Sequence, residues 1–359
     1  MPGWHGPFLF PLPQKVSPMI DHTYLQKGLL ATARSHQAGS MAGHLGASVL
    51  AGYYLGEDYP DLPKAVMEAI QGELQRIIQG EEALWTSIGK TGIGARELFA
   101  EAGDGEWLTS PQGDPEDMVL ALSRHGQPLK QSGHNTIFAA LALRALKDHP
   151  ELATQKIVHG LKRLMQQFDQ APPGKGYFGK AQGWLTGNQI TLDASQKRTP
   201  FISMDQAIQE VMELFAREVI QRRQGFGGWF HLINHTAALQ SLHHMGWESQ
   251  CQLGLKTLQQ HLEYYLALPD LTDELGSLQR ASVDPRQSAY WQGSYRQSSQ
   301  WSGWLTHRIK TMHGFYQLRE SLNGDGLRQA CDHAFLYLCL LYTSPSPRDA
   351  TLSRMPSSA

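Results

Sequence analysis

Apolar residues along this chain recur three and four positions apart, the spacing of one helix face, and nowhere alternate for long enough to read as a strand. Leu62 to Ile78 puts Val66, Ala69, Ile70, Leu74, Ile77 and Ile78 on one face, with Pro63 in the first turn, where a missing N–H costs nothing. Leu152 to Phe168 repeats the pattern with Ile157, Leu161, Leu164 and Met165, and Gln250 to Leu266 with Leu253, Leu258, Leu262 and Leu266. Leu327 to Leu338 reads as a fourth such helix. Ahead of each lies a run that opens on a histidine, at His44, His134, His235 and His307; the first three runs are rich in small apolar residues. The pattern predicts an all-α chain of helical hairpins, arranged as an α/α array or a toroid-like single domain. The leading histidines are unevenly spaced, so the hairpins carry long insertions and form no strict repeat. Residues 86–133, 171–200 and 281–304 are these insertions, rich in glycine and aromatic residues, and they are expected to be ordered loops over one face.

Composition narrows the picture. The 359 residues are 41% hydrophobic and 18% charged, enough to bury a substantial core. A net charge of −2 supplies no basic field for nucleic acid or an anionic membrane. No run reaches the roughly 20 apolar residues of a membrane span. Three cysteines without a CxxC pair argue for a reducing, cytoplasmic setting. The ends read differently from the middle. Residues 1–18 hold five prolines and look like an upstream extension, with the domain expected to begin at Met19. Cys339 to Asp349 and Ser353 to Ala359 resemble the two ends of a translated sequencing-library adapter. Residues 339–359 are therefore expected to pack poorly, and the domain is expected to be C-terminally truncated at about Leu338.

The chemistry lies in the histidines. If the hairpins close on themselves, His44, His134, His235 and His307 line one cavity, with His231 close by. A helix N-terminus disfavours positive charge, so these imidazoles should be neutral and fit for hydrogen bonding, base catalysis or metal ligation. The plain alternative is that each caps a helix or satisfies a buried polar site. His231 and His235 stand four residues apart, as a metal pair does on one helix face, but no acidic partner lies beside them, and no metal site is assigned. The stretch Gly89 to Gly94 is neither a Walker loop nor a dinucleotide fingerprint.

Phe230-His231-Leu-Ile followed by Asn234-His235-Thr-Ala-Ala-Leu resembles the "FH…HAL" segment of questin oxidase-like proteins. Gly43-His44-Leu-Gly-Ala-Ser-Val-Leu resembles their N-terminal "NHLPMAL" motif, with Gly46 in place of the proline. His134-Asn-Thr-Ile falls where they carry "FH-x-LI", and His307-Arg-Ile-Lys-Thr-Met resembles their "H-x-IK-L-V". The order is kept across most of residues 30–340, although His231 and His235 fit only with a shift. The resemblance implies an all-α oxidase that acts on an aromatic ketone or quinone of polyketide type by Baeyer–Villiger-like oxygen insertion, with NADPH as the associated cofactor. In that setting one imidazole takes a phenolic proton and a second bonds the developing oxyanion. Tyr290, Trp291, Trp301 and Trp304 would stack on the flat small molecule, although aromatic residues in loops also serve as packing. Two other readings stand beside this one. A helical-repeat domain would bind a ligand or protein without chemistry. An α/α-toroid carbohydrate-active enzyme would need paired carboxylates, for which Glu81, Glu82, Asp205 and Glu210 are available.

Overall fold

The structure is a computed structural model and describes residues 20–86, 88–103, 112–124, 128–194, 196–292 and 303–340. Its helices of eight residues or more are α1 (His22–Arg34), α2 (Gly43–Asp58), α3 (Lys64–Ile78), α4 (Glu116–Ser123), α5 (His134–Asp148), α6 (Gln155–Gln166), α7 (Met204–Glu218), α8 (Gly228–His244), α9 (Glu248–Leu266), α10 (Trp304–Glu320) and α11 (Asp325–Phe335). The chain is all-α. Among the described residues the only sheet is a two-stranded antiparallel ribbon, β1 (Lys175–Tyr177) against β2 (Trp184–Thr186).

The four histidine-bearing helices pack in a closed circuit: α2 on α5, α5 on α8, α8 on α10 and α10 back on α2. Burial follows from that placement. Most residues of α2 and α8 are buried, because neither helix has a continuous polar face, and on α8 even the polar His231, Asn234, His235 and Gln240 are enclosed. The amphipathic helices α3, α6 and α7 lie outside them and turn their polar faces away from the core. Small residues set how closely the helices approach. Where α1 crosses α2, a Cβ on Gly46 would sit 2.4 Å from the Thr32 amide nitrogen and 2.6 Å from the Gly28 carbonyl oxygen. The proline-to-glycine departure noted above therefore falls at a close helix crossing.

Helix α10 departs from hydropathy. Arg308, Lys310 and His313 are each buried on it, although the sequence around them reads as polar. Each finds a partner: Arg308 pairs with Glu73, Lys310 lies 2.6 Å from His44 Nδ1, and His313 Nε2–H donates to Asp58 Oδ2 at 3.1 Å.

Two expectations are corrected here. Helix α8 begins at Gly228, not at His235, because Gly227 adopts φ 73° and caps it. A side chain at Gly227 would also strike the His231 ring, with a Cβ 2.0 Å away. At the C-terminal end, Cys339 is buried and its carbonyl accepts a 2.6 Å hydrogen bond from Tyr290 Oη–H. Packing thus continues past Leu338, because the turn after α11 closes over Tyr290. Residues 1–18 and 341–359 lie outside the described residues.

Candidate functional site

The first turns of α2, α5, α8 and α10 meet around a cavity of about 400 Å³ lined by His44, His134, His231 and His307. Trp85, Trp184, Phe226, Phe230 and Trp304 supply aromatic walls, and the exposed Lys175 also borders it. Among the described residues no carboxylate lines this cavity.

Carbonyl oxygens only accept hydrogen bonds, and this fixes three tautomers. His307 Nδ1–H donates to the Gly303 carbonyl at 2.8 Å, His231 Nδ1–H to Ser132 at 3.2 Å, and His134 Nδ1–H to Gln131. In its neutral form each ring then carries its lone pair on Nε2. His44 Nε2 lies 2.7 Å from His134 Nε2 and therefore supplies the proton of that bond. His44 Nδ1 in turn accepts from Lys310 Nζ–H. The remaining pair has no such donor: His231 Nε2 and His307 Nε2 face one another at 2.9 Å, both as lone pairs. His44, His231 and His307 each offer a ring nitrogen within 4.8 Å of the other two, close enough to hold one metal ion.

Burial keeps the cluster neutral. His44, His231 and His307 are pushed well below the ordinary histidine range by desolvation, with Lys310 and the neighbouring imidazoles adding to the shift, and His134 is pushed down to about 3. Desolvation also lowers Lys310, to about 7, against a small opposing effect of Glu82.

The shell behind the imidazoles is built from loops. Trp85 stacks on His44, with ring centroids 3.8 Å apart and planes at 18°. Its indole N–H donates to Glu82 at 3.1 Å, and Glu82 also accepts from the Leu305 amide at 2.6 Å and the Thr306 hydroxyl at 2.8 Å. One buried carboxylate thus caps α10 and holds the ring that covers His44. Among the described residues the non-glycine residues with left-handed backbone are Gln131, Ser132 and Phe226, and all three line the cavity. Strain of this kind collects where surrounding structure must place a functional group. Here the Gln131 and Ser132 amides are tied to the Pro172 and Pro173 carbonyls at 2.8 Å each, and their own carbonyls orient His134 and His231. The 171–200 insertion therefore positions two imidazoles through backbone contacts.

The structure brings together His44, His134, His231, His307 and Trp304, but not the other candidates. His235 stands one helical turn beyond His231 and is excluded from the cavity by Gly133. It donates from Nδ1 to His261 Nδ1 at 3.2 Å, and His261 Nε2–H bonds the Phe226 carbonyl at 2.8 Å, so the pair supports the strained Phe226 from behind. Tyr290 and Trp291 are buried apart from the cavity, where Tyr290 bonds Cys339 and the Trp291 indole N–H bonds the Pro285 carbonyl at 2.7 Å. Trp301 lies outside the described residues. Sequence reasoning missed Trp85 and Phe226, gave Phe230 and Lys310 no role beyond their motifs, and weighed Glu82 only as a glycoside-type carboxylate. A signal for His231 over His235 was present, because Gly227-x-x-x-His231 matches Gly303-x-x-x-His307.

Family models, curated proteins and solved structures return no match to this chain. Among the described residues no helix is long and apolar enough to cross a membrane.

The buried histidines predict a pH dependence. Desolvation holds His235 well below its ordinary 6.5 and lowers His261 to about 4, so both are neutral in the fold. Below pH 6.5 the unfolded chain takes up protons that the fold refuses. Their stabilisation is thus complete above that pH and is lost as pH falls toward the folded values. The cavity histidines act in the same direction. Metal-free protein should lose about 1.4 kcal/mol per pH unit for each such histidine. Urea unfolding at about pH 7.5 and about pH 5.5 measures the loss, and equal stabilities would contradict neutral burial.

Proposed function

We propose that the cavity is the site of an oxidoreductase that acts on a flat aromatic ketone or quinone, with a metal ion held by His44, His231 and His307. The observation that carries this reading is the approach of His231 Nε2 to His307 Nε2 at 2.9 Å with a lone pair on each. Such an arrangement repels unless a proton or a cation lies between the nitrogens, and burial disfavours the proton. Imidazole suits iron, copper and zinc. The backbone carbonyls on Nδ1 of His231 and His307 are the partners that ligating histidines ordinarily have. Bound iron or copper would supply redox chemistry with dioxygen, which no side chain here provides.

The protein's own groups do the rest. The walls formed by Trp85, Phe226, Phe230 and Trp304 suit a planar ring. Ligation by His44 Nε2 would require its proton to sit on Nδ1, with Lys310 Nζ neutral and accepting it; His134 Nε2, released from the His44 proton, would then keep its lone pair for a phenolic proton. Oxygen insertion of the kind the questin oxidase-like resemblance implies puts one atom of dioxygen into the substrate. The other atom leaves as water, with two electrons from NADPH. Glycoside chemistry is disfavoured because Glu82 is tied to α10, Glu81 pairs with Arg76 and Glu210 with Arg198. The cavity volume falls in the range for small ligands, which favours a small molecule over a protein partner.

The test is dioxygen consumption by the chain with an anthraquinone and NADPH, loaded with iron or copper and again after chelation. Metal-dependent uptake and a product heavier by one oxygen atom support the reading. Tight anthraquinone binding with no uptake under any metal would instead make the chain a binding module.

A further inference from the structure

A second group of metal-type side chains lies where the start of α1 meets the turn after α5. His22 is the first residue of α1, His149 follows the last residue of α5, and Glu151 sits in the 3-10 turn Pro150–Leu152. One ligand atom from each lies within 4.8 Å of the other two. The imidazoles meet edge to face with centroids 4.6 Å apart and planes at 62°. His149 Nδ1–H donates to Glu151 Oε1 at 3.2 Å. Both histidines are half-buried and Glu151 is exposed, so an ion can enter from solvent.

The backbone under these side chains is fixed. Asp21 caps α1 by accepting from the Thr23 amide at 2.9 Å. The His149 amide closes α5 on the Ala145 carbonyl at 3.0 Å, and the His149 carbonyl accepts from the Leu152 amide at 3.0 Å. Two imidazoles and a carboxylate are a donor set that zinc takes with a water in the fourth position. Zinc bonds of about 2.0–2.1 Å in tetrahedral geometry place neighbouring donors about 3.3 Å apart. The His149–Glu151 contact already has that spacing, and the ion would replace the proton the two share. His22 offers a ring nitrogen within 4.8 Å of both.

We propose that His22, His149 and Glu151 form a zinc-type site that clips the start of α1 to the α5–α6 turn. It is separate from the cavity. His149 and His134 lie at opposite ends of α5, about 22 Å apart at the helical rise, so one ion cannot serve both. The site needs no assumption about the reaction in the cavity.

The experiment uses the full chain stripped of metal, titrated with Zn²⁺ and read by native mass spectrometry and calorimetry. His149→Ala should bind one zinc fewer than the parent. Glu151→Gln, which keeps the shape of the side chain, should bind the same equivalent at least tenfold more weakly. In a His307→Ala background, where the cavity has lost one of its three proposed ligands, Zn²⁺ at concentrations that leave the cavity empty should still raise the melting temperature. Adding His149→Ala to that background should remove the rise. The proposal is overturned if His149→Ala and Glu151→Gln, folded by circular dichroism, bind Zn²⁺ with the parent's stoichiometry and affinity. It is equally overturned if the rise in melting temperature survives in the double variant.

Discussion

His307→Ala takes up iron or copper more than about 100-fold more weakly than the parent, because even the loss of a group that merely orients a ligand costs 10- to 100-fold. On the proposed function, turnover is expected to disappear with the metal. The metal-free variant, in contrast, is at least as stable as the parent. His307 Nε2 faces His231 Nε2 with no proton between them, so its removal relieves a repulsion while costing one hydrogen bond to Gly303. That combination separates a functional site from a structural one, since sites are assembled at the expense of stability. Metal titration and thermal unfolding of the chelated protein measure the two halves. If His307→Ala unfolds early yet binds metal normally, the imidazole is a packing element and the proposed site is wrong.

Arg308→Leu produces the largest loss of stability. The Arg308 guanidinium pairs with Glu73 inside the protein, at 2% and 0% side-chain exposure. It also lies over the rings of Trp291 and Trp304, at 4.9 and 5.3 Å from their centroids. Removing it takes the buried guanidinium away from the Glu73 carboxylate and leaves the bond from Arg76 at 3.0 Å. Breaking one side of a buried pair in this way costs about 3–5 kcal/mol. Replacing both Arg308 and Glu73 by leucine should recover part of that loss, because the buried carboxylate is then removed together with its buried partner. Urea unfolding of the single and double variants reads the difference. Since Trp304 walls the cavity, the single variant should also bind aromatic ligands more weakly. A double variant no more stable than the single one would show that the cost lies in packing and not in charge.

The sequence by itself determined the fold class and most of the helix positions. The apolar faces of Leu62–Ile78, Leu152–Phe168 and Gln250–Leu266 correspond to α3, α6 and α9 to within a few residues, because helix periodicity is a local property that burial of one face enforces. His44, His134 and His307 were legible for a similar reason, since each lies in the first turn of its helix. His231 and His235 were harder to separate. They share a helix, and which one reaches the cavity depends on where the glycine cap at Gly227 ends the preceding loop. Tertiary structure alone decided the rest. Lys310 and Arg308 look like surface charges until Glu73 and His44, more than 200 residues away, supply their partners. Tyr290 and Trp291 carry the same aromatic signal as Trp304, yet they are buried away from the cavity, Trp291 under Arg308 and Tyr290 bonded to Cys339. Hydropathy reports what a side chain prefers on average. Whether a charge or a ring is buried, and against what, depends on contacts between segments distant in the chain, and no local pattern encodes those.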